Sequence, residues 1–176
     1  MENSKTMRAL TAIVVLALFP AILLAQTPAK KSVEGVWKIA ESEFMGKDTS
    51  KISNPQPSLI IFGPKYYSIM SVPGDKPRAL YKAENPTDAE KINAYDSFIG
   101  QSGTYEIVGS TLTVRPMVAR NPNYMAGGFI RYQFRFEGNA LWLSAKTPDF
   151  HIRIGDKVVP SGAPPSENRL KLVRVE

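Results

Sequence analysis

Gly103-Thr-Tyr-Glu-Ile-Val-Gly-Ser-Thr-Leu-Thr-Val-Arg115 and Arg131-Tyr-Gln-Phe-Arg-Phe-Glu-Gly-Asn-Ala-Leu-Trp-Leu143 read as two hairpins whose registers follow from their turns. Gly109-Ser110 is a two-residue turn of the type II′ kind. It sets Ile107 opposite Leu112 and Tyr105 opposite Val114 on one face. Thr104, Glu106, Thr113 and Arg115 fall on the other. Gly138-Asn139 closes the second hairpin. It sets Phe136 opposite Leu141, Phe134 opposite Leu143 and Tyr132 opposite Ala145. Arg131, Gln133, Arg135 and Glu137 take the opposite face, with Arg135 placed to stack on Trp142. A slip of one residue in either hairpin mixes apolar with polar on both faces, so the register is strongly specified. The pattern predicts a twisted antiparallel sheet that is apolar on one side.

The chain has 176 residues, enough for one domain with a real core, and its 43% hydrophobic content is that of a globular protein. The net charge is +6, but Lys and Arg are scattered and Lys30-Lys31 is the one adjacent basic pair. No basic stripe of the nucleic-acid-binding type is present, and no nucleic-acid partner is expected. The absence of cysteine excludes disulfides, thiolate chemistry and Cys-based metal sites, and a single histidine, His151, excludes a multi-His site within one chain.

Residues 1–25 read as an export signal. Lys5 and Arg8 precede an uncharged, nearly all-apolar run from Ala9 to Ala25, broken late by Pro20. The expected location of the mature protein is periplasmic or secreted, with no stable membrane insertion once the signal is cleaved. A polar lead-in (26–32) follows, and residues 33–176 form the expected domain.

Within that domain Val33–Phe44 alternates as a strand, with Trp37, Ile39, Glu41 and Glu43 on one face by parity. Met45–Pro57 reads as a loop. Ser58–Phe62 and Tyr66–Val72 are strands around Gly63-Pro64. Thr87 and Glu90 make a capping box, which predicts a helix over about 88–99 with an apolar face of Ile92, Tyr95, Phe98 and Ile99. That face is expected to pack on one end of the sheet. Pro116–Gly128, between the two hairpins, is long for a hairpin loop and a candidate flap. Phe150–Ile154 is a short strand, Gly155–Asn168 is irregular, and Arg169–Val175 is the last strand. The fold class is all-β, with about eight antiparallel strands and one short helix. Closure into an up-and-down barrel hides the sheet edges.

Gly35-Val36-Trp37 at the start of the first strand and Arg174 on the last resemble the Gly-x-Trp signature and C-terminal arginine of lipocalins, and the strand-rich body resembles the bacterial lipocalin-like domains. The resemblance covers Val33 to Val175. It implies that Gly35, Trp37 and Arg174 form a structural plug at the closed end of a barrel. It also implies that the partner is a small hydrophobic ligand.

The apolar set Tyr67, Ile69, Tyr105, Ile107, Leu112, Val114, Tyr132, Phe134, Phe136, Leu141 and Leu143 is the expected lining of such a pocket, with the Tyr105 and Tyr132 hydroxyls orienting the guest. The same set equally describes a packed core, because a narrow barrel fills itself. Three functions follow from these alternatives. A carrier for a small hydrophobic or amphipathic ligand comes first. A protein-interaction module with a filled barrel, working through its loops or the Arg131/Arg135/Trp142 face, comes second. An enzyme using Tyr105, Tyr132 or Glu41 on a lipophilic substrate comes third. Glu41 and Glu43 are candidate buried carboxylates if the Trp37 face is interior, and otherwise lie at the rim. Ser144, Asp149 and His151 lack the surroundings of a hydrolase triad. No cofactor and no metal are expected.

Overall fold

Both hairpins adopt the registers that their turns dictate. Ile107 pairs with Leu112 and Tyr105 with Val114. Phe136 pairs with Leu141, Phe134 with Leu143, and Arg135 with Trp142. The structure, a computed structural model, describes residues 31–175. The expected export signal (1–25) and all but the end of the polar lead-in lie outside the described residues.

Eleven strands form one sheet. They are β1 (Gly35–Met45), β2 (Ser50–Ile52), β3 (Ser58–Phe62), β4 (Tyr66–Ser71), β5 (Ile99–Val108), β6 (Thr111–Ala119), β7 (Phe129–Glu137), β8 (Ala140–Lys146), β9 (Phe150–Ile154), β10 (Lys157–Pro160) and β11 (Glu167–Arg174). Eight of them close an antiparallel up-and-down barrel in the order β1-β3-β4-β5-β6-β7-β8-β11, and β11 returns to β1. Closure leaves the barrel itself without an edge. Beyond it, β2 pairs only with β1, and the β9–β10 hairpin extends from the start of β7.

Trp37, Ile60, Phe62, Leu112, Val114, Leu141, Leu143 and Leu172 are the largest fully buried side chains, and all point into the barrel. Its turns gather at one end, where Trp37 plugs the interior. The Trp37 indole Nε1 donates to the Val33 carbonyl at 2.8 Å. The Arg174 guanidinium lies 4.4 Å from the ring centroid and donates to the Ser32 carbonyl at 2.9 Å. A Cβ on Gly35 would stand 2.2 Å from Arg174 Nη1, so the arginine occupies the space that a side chain at position 35 would take.

Two bulges bend the barrel. In β1, Ile39 opposes Leu172 and Glu41 opposes Lys171, so Ala40 is the extra residue. The bulge breaks strict alternation and turns Glu41 and Glu43 outward, which corrects their expected place on the Trp37 face. The Ser58 hydroxyl accepts from the Ile39 amide at 2.7 Å beside it. In β6, Ser102 opposes Val118 and Gly103 opposes Pro116, leaving Met117 as the extra residue. A Cβ on Gly103 would lie 2.0 Å from the Arg115 carbonyl oxygen, so this close crossing requires glycine.

Other expectations are corrected locally. β2 lies within the expected loop 45–57, and β10 within the expected irregular stretch 155–168. The β7–β8 ladder stops at Gln133–Ser144, one pair before the expected Tyr132–Ala145, and β8 gives way to a 3-10 turn at Thr147–Asp149. The connection 116–128 is shorter than it reads, because β6 continues through Pro116 to Ala119. The Arg120 amide then donates to the Gly100 carbonyl at 2.7 Å, and Tyr124 packs on the core. The helix α1 (Asp88–Asp96) carries the expected capping box but ends before Phe98 and buries no residue. Its stripe of Ile92 and Tyr95 is too narrow to dock, and both are exposed. Polar contacts tether it instead: Arg78 Nη2 donates to the Ala94 carbonyl at 2.9 Å, and the Tyr95 hydroxyl to the Arg120 carbonyl at 3.2 Å. Among the described residues no helix is long and apolar enough to cross a membrane.

Candidate functional site

The two ends of the barrel differ in how they are filled. At the turn end, Phe62 packs edge-on to Tyr105 at 5.3 Å and Phe134 edge-on to Phe136 at 6.1 Å, above Trp37. The Tyr105 hydroxyl donates to the Gly63 carbonyl at 2.6 Å, so it fastens the β3–β4 turn. Ile107 keeps its inward register but sits at the end of the hairpin and is 42% exposed.

At the opposite end a cavity of about 200 Å³ opens between β5, β6, β7 and β9. Ile99, Ala119, Ile130 and Phe150 form its apolar wall. Gln101, Tyr124 and Tyr132 supply its polar groups, with Arg120 and Asn121 at the rim. The sheet explains the placement. β5 points alternate residues inward, so Gln101 shares the face of Gly103 and Tyr105. It is 8% exposed. The 3-10 turn Pro122–Tyr124, capped by the Asn121 side chain on the Asn123 amide at 3.0 Å, swings the Tyr124 ring over the opening. β9 pairs Phe150 with Ile130 and so brings a second aromatic ring to the mouth.

The polar groups here are uncommitted. Among the described residues, the Gln101 side-chain amide and the Tyr124 and Tyr132 hydroxyls make no hydrogen bond and reach solvent through the opening. Deeper in the barrel the Tyr67 hydroxyl is buried without any partner. Burial pushes Tyr67 far above the usual phenol range, and neighbouring Tyr132 adds to the effect. Burial likewise raises Tyr132, with a contribution from Tyr124, and raises Tyr124. All three phenols are therefore neutral, able to donate as well as accept. The lining has no carboxylate and no imidazole, so it offers apolar surface and hydrogen bonds but no base to carry a proton. Among the described residues no group of three or more His, Asp or Glu is placed to hold a metal ion.

Of the residues expected to line a pocket, Tyr132 alone lines this cavity. Tyr67 and Ile69 lie buried in the barrel on β4, and Leu112, Val114, Leu141 and Leu143 fill its packed part. Tyr105, Phe134 and Phe136 are half-buried toward the turn end. The structure does not bring the Tyr105 and Tyr132 hydroxyls to one cavity. Sequence reasoning missed Gln101, Tyr124, Ile130 and Phe150. Gln101 and Ile130 had a signal, their inward parity with Tyr105 and Tyr132. Tyr124 and Phe150 had none, because the 3-10 turn and the β7–β9 pairing place them.

The outer face around Trp142 carries a charged network, within which the Trp142 indole Nε1 is buried without a partner. Glu41, Lys171, Trp142 and Arg135 form one row across β1, β11, β8 and β7. Arg135 and Lys171 lie 4.9 and 5.7 Å from the indole. Lys171 also pairs with Glu41 at 2.5 Å, Arg135 with Glu137 at 2.6 Å, and Lys51 bridges Glu41 and Glu43 at 2.9 and 3.0 Å. The charges satisfy one another. His151 stacks on Phe129 at 4.2 Å, and Asp149 accepts from the Lys146 amide at 2.9 Å. Among the described residues no hydrogen bond joins Ser144, Asp149 and His151.

No protein-family model matches the chain, and no curated protein matches it.

Proposed function

We propose that the protein is an exported lipocalin-like binding protein that holds a small amphipathic ligand in the open end of its barrel. The observation that carries this reading is the asymmetry of the interior. One end is closed by the Trp37–Arg174 plug over the buried Leu112, Leu141, Leu143 and Leu172, while the other holds a cavity of about 200 Å³ whose nearly buried Gln101 and Tyr132 side chains make no hydrogen bond among the described residues. Polar side chains that have no partner in the protein and face an opening walled by apolar surface are groups that a bound ligand can engage, which favours a binding site here. The volume lies below the usual range for drug-sized pockets. The buried part of the ligand is then one ring or a short chain, and any longer portion projects through the mouth. Apolar burial supplies affinity, and the hydrogen bonds set orientation.

Native mass spectrometry of the protein purified from its own host tests this. A reproducible added mass that disappears when the cavity is blocked supports the carrier and narrows the ligand class. A bare polypeptide mass, together with no binding from a panel of fatty acids, retinoid-like probes and single-ring compounds, overturns it in favour of an interaction module.

A further inference from the structure

Building on that reading, we infer that the buried end of the ligand is an uncharged hydrogen-bond acceptor of the carbonyl class, and not a carboxylate. Three observations converge on this. The groups that face the cavity are a carboxamide and two phenols, Gln101, Tyr124 and Tyr132, and each has a proton to donate. Gln101 and Tyr132 are 8% and 9% exposed, so a ligand oxygen that reaches them leaves water.

The second observation is electrostatic. The one cation at the cavity among the described residues is Arg120, at the rim, and its guanidinium is drawn toward α1. It donates to the Tyr95 carbonyl and lies 4.5 Å from the Tyr95 ring centroid. A carboxylate carried past the rim to Gln101 and Tyr132 would lose its water against neutral donors alone, which is the costly case for a buried ion. A carbonyl oxygen loses far less on entry and recovers it through the waiting donors.

The third observation is shape. Ile99, Ala119, Ile130 and Phe150 surround the polar groups with apolar surface. The complement of such a lining is a compact hydrocarbon body carrying one oxygen. The Tyr67 hydroxyl, near Tyr132 in the barrel, is buried without a partner.

Three single-ring probes separate the possibilities: cyclohexanone, methylenecyclohexane and cyclohexanecarboxylate, titrated near neutral pH and followed by two-dimensional amide NMR. The expected order has cyclohexanone tightest, about five- to tenfold ahead of the hydrocarbon, the worth of one or two neutral hydrogen bonds. Tyr132→Phe removes only the hydroxyl. It should shrink that preference severalfold while leaving the affinity for methylenecyclohexane unchanged, and Gln101→Leu should act in the same direction. Unaltered amide shifts away from the mouth certify that each variant is folded. If the carboxylate binds tightest, the class is anionic and the inference is wrong. A ketone preference that survives both substitutions also overturns it. If no probe shifts the amides of Ile99, Ile130 and their neighbours, the binding reading itself fails, and this inference falls with it.

Discussion

Tyr67 shows what a single buried hydroxyl can report. Its ring is wanted in the core, where it is 3% exposed and stacks near Phe62, but its hydroxyl has no partner. Tyr67→Phe keeps the ring and removes the unpaired group. In the ligand-free protein it should raise stability by about 1 kcal/mol, read as a later midpoint in urea with an unchanged slope. A loss of stability would mean that the hydroxyl has a partner inside the barrel. Glu41 makes a second case at this scale. The hydrogen bond from Lys171, then that from Lys51, hold its carboxyl below the usual range. A carboxylate whose folded-state pKa is depressed stabilises the protein above its unfolded-state value and loses that contribution as the pH falls. The wild type should therefore lose stability more steeply than Glu41→Gln below about pH 4. Equal slopes in urea melts across that interval would remove the ion pair from the account. Parity alone assigned Glu41 to the Trp37 face, and one extra residue, Ala40, reversed it. A bulge of that kind is invisible in the strand's own sequence, because the partner strand decides which residue is left unpaired.

Elements were legible where turn and alternation agreed. The hairpins at Gly109-Ser110 and Gly138-Asn139 needed only a turn length and a period of two, both local. β2 and β10 were not legible, since short strands among Pro, Gly and Ser exist only because β1 and β9 offer them a partner. α1 was legible at its start and not at its end. Thr87 and Glu90 form the capping box, with the Thr87 amide donating to Glu90 at 2.8 Å and the Glu90 amide to the Thr87 hydroxyl at 3.3 Å. The far end depended on where Phe98 packs, and Phe98 lies half-buried beside Gly100 on the barrel's outer wall, past the end of the helix, with Arg78 5.2 Å from its ring. A helix that buries nothing draws its stability from its cap. Thr87→Ala should cost about 1 kcal/mol of local helix stability. Amide exchange across 88–96 should quicken while the global unfolding midpoint stays in place. A matching fall in the global midpoint would show that α1 is part of the cooperative core.

At the scale of the molecule, closure of eight strands separates stability from function along one axis. The plug of Trp37 and Arg174 and the packed layer of Leu112, Leu141, Leu143 and Leu172 belong to the turn end. The cavity with Gln101, Tyr124 and Tyr132 belongs to the other. The plug was expected from Gly35, Trp37 and Arg174, but the place of the cavity was not readable, because side chains from strands far apart in sequence decide how full each level of a barrel is. The division makes opposite predictions for two substitutions. Leu141 is fully buried, so Leu141→Ala leaves a hole in the packed layer and should cost about 2–5 kcal/mol. Ligand affinity of the molecules that remain folded should be unaffected. Ile99 lines the mouth and is 40% exposed, so a larger side chain there has room to extend without straining the core. Ile99→Trp should shift stability by no more than about 0.5 kcal/mol and should abolish binding by filling the cavity. Urea melts and titration of one probe on both variants check the pair. If Ile99→Trp binds as the wild type does, the ligand enters elsewhere. If Leu141→Ala loses binding along with stability, the two ends are coupled and the barrel cannot be divided in this way.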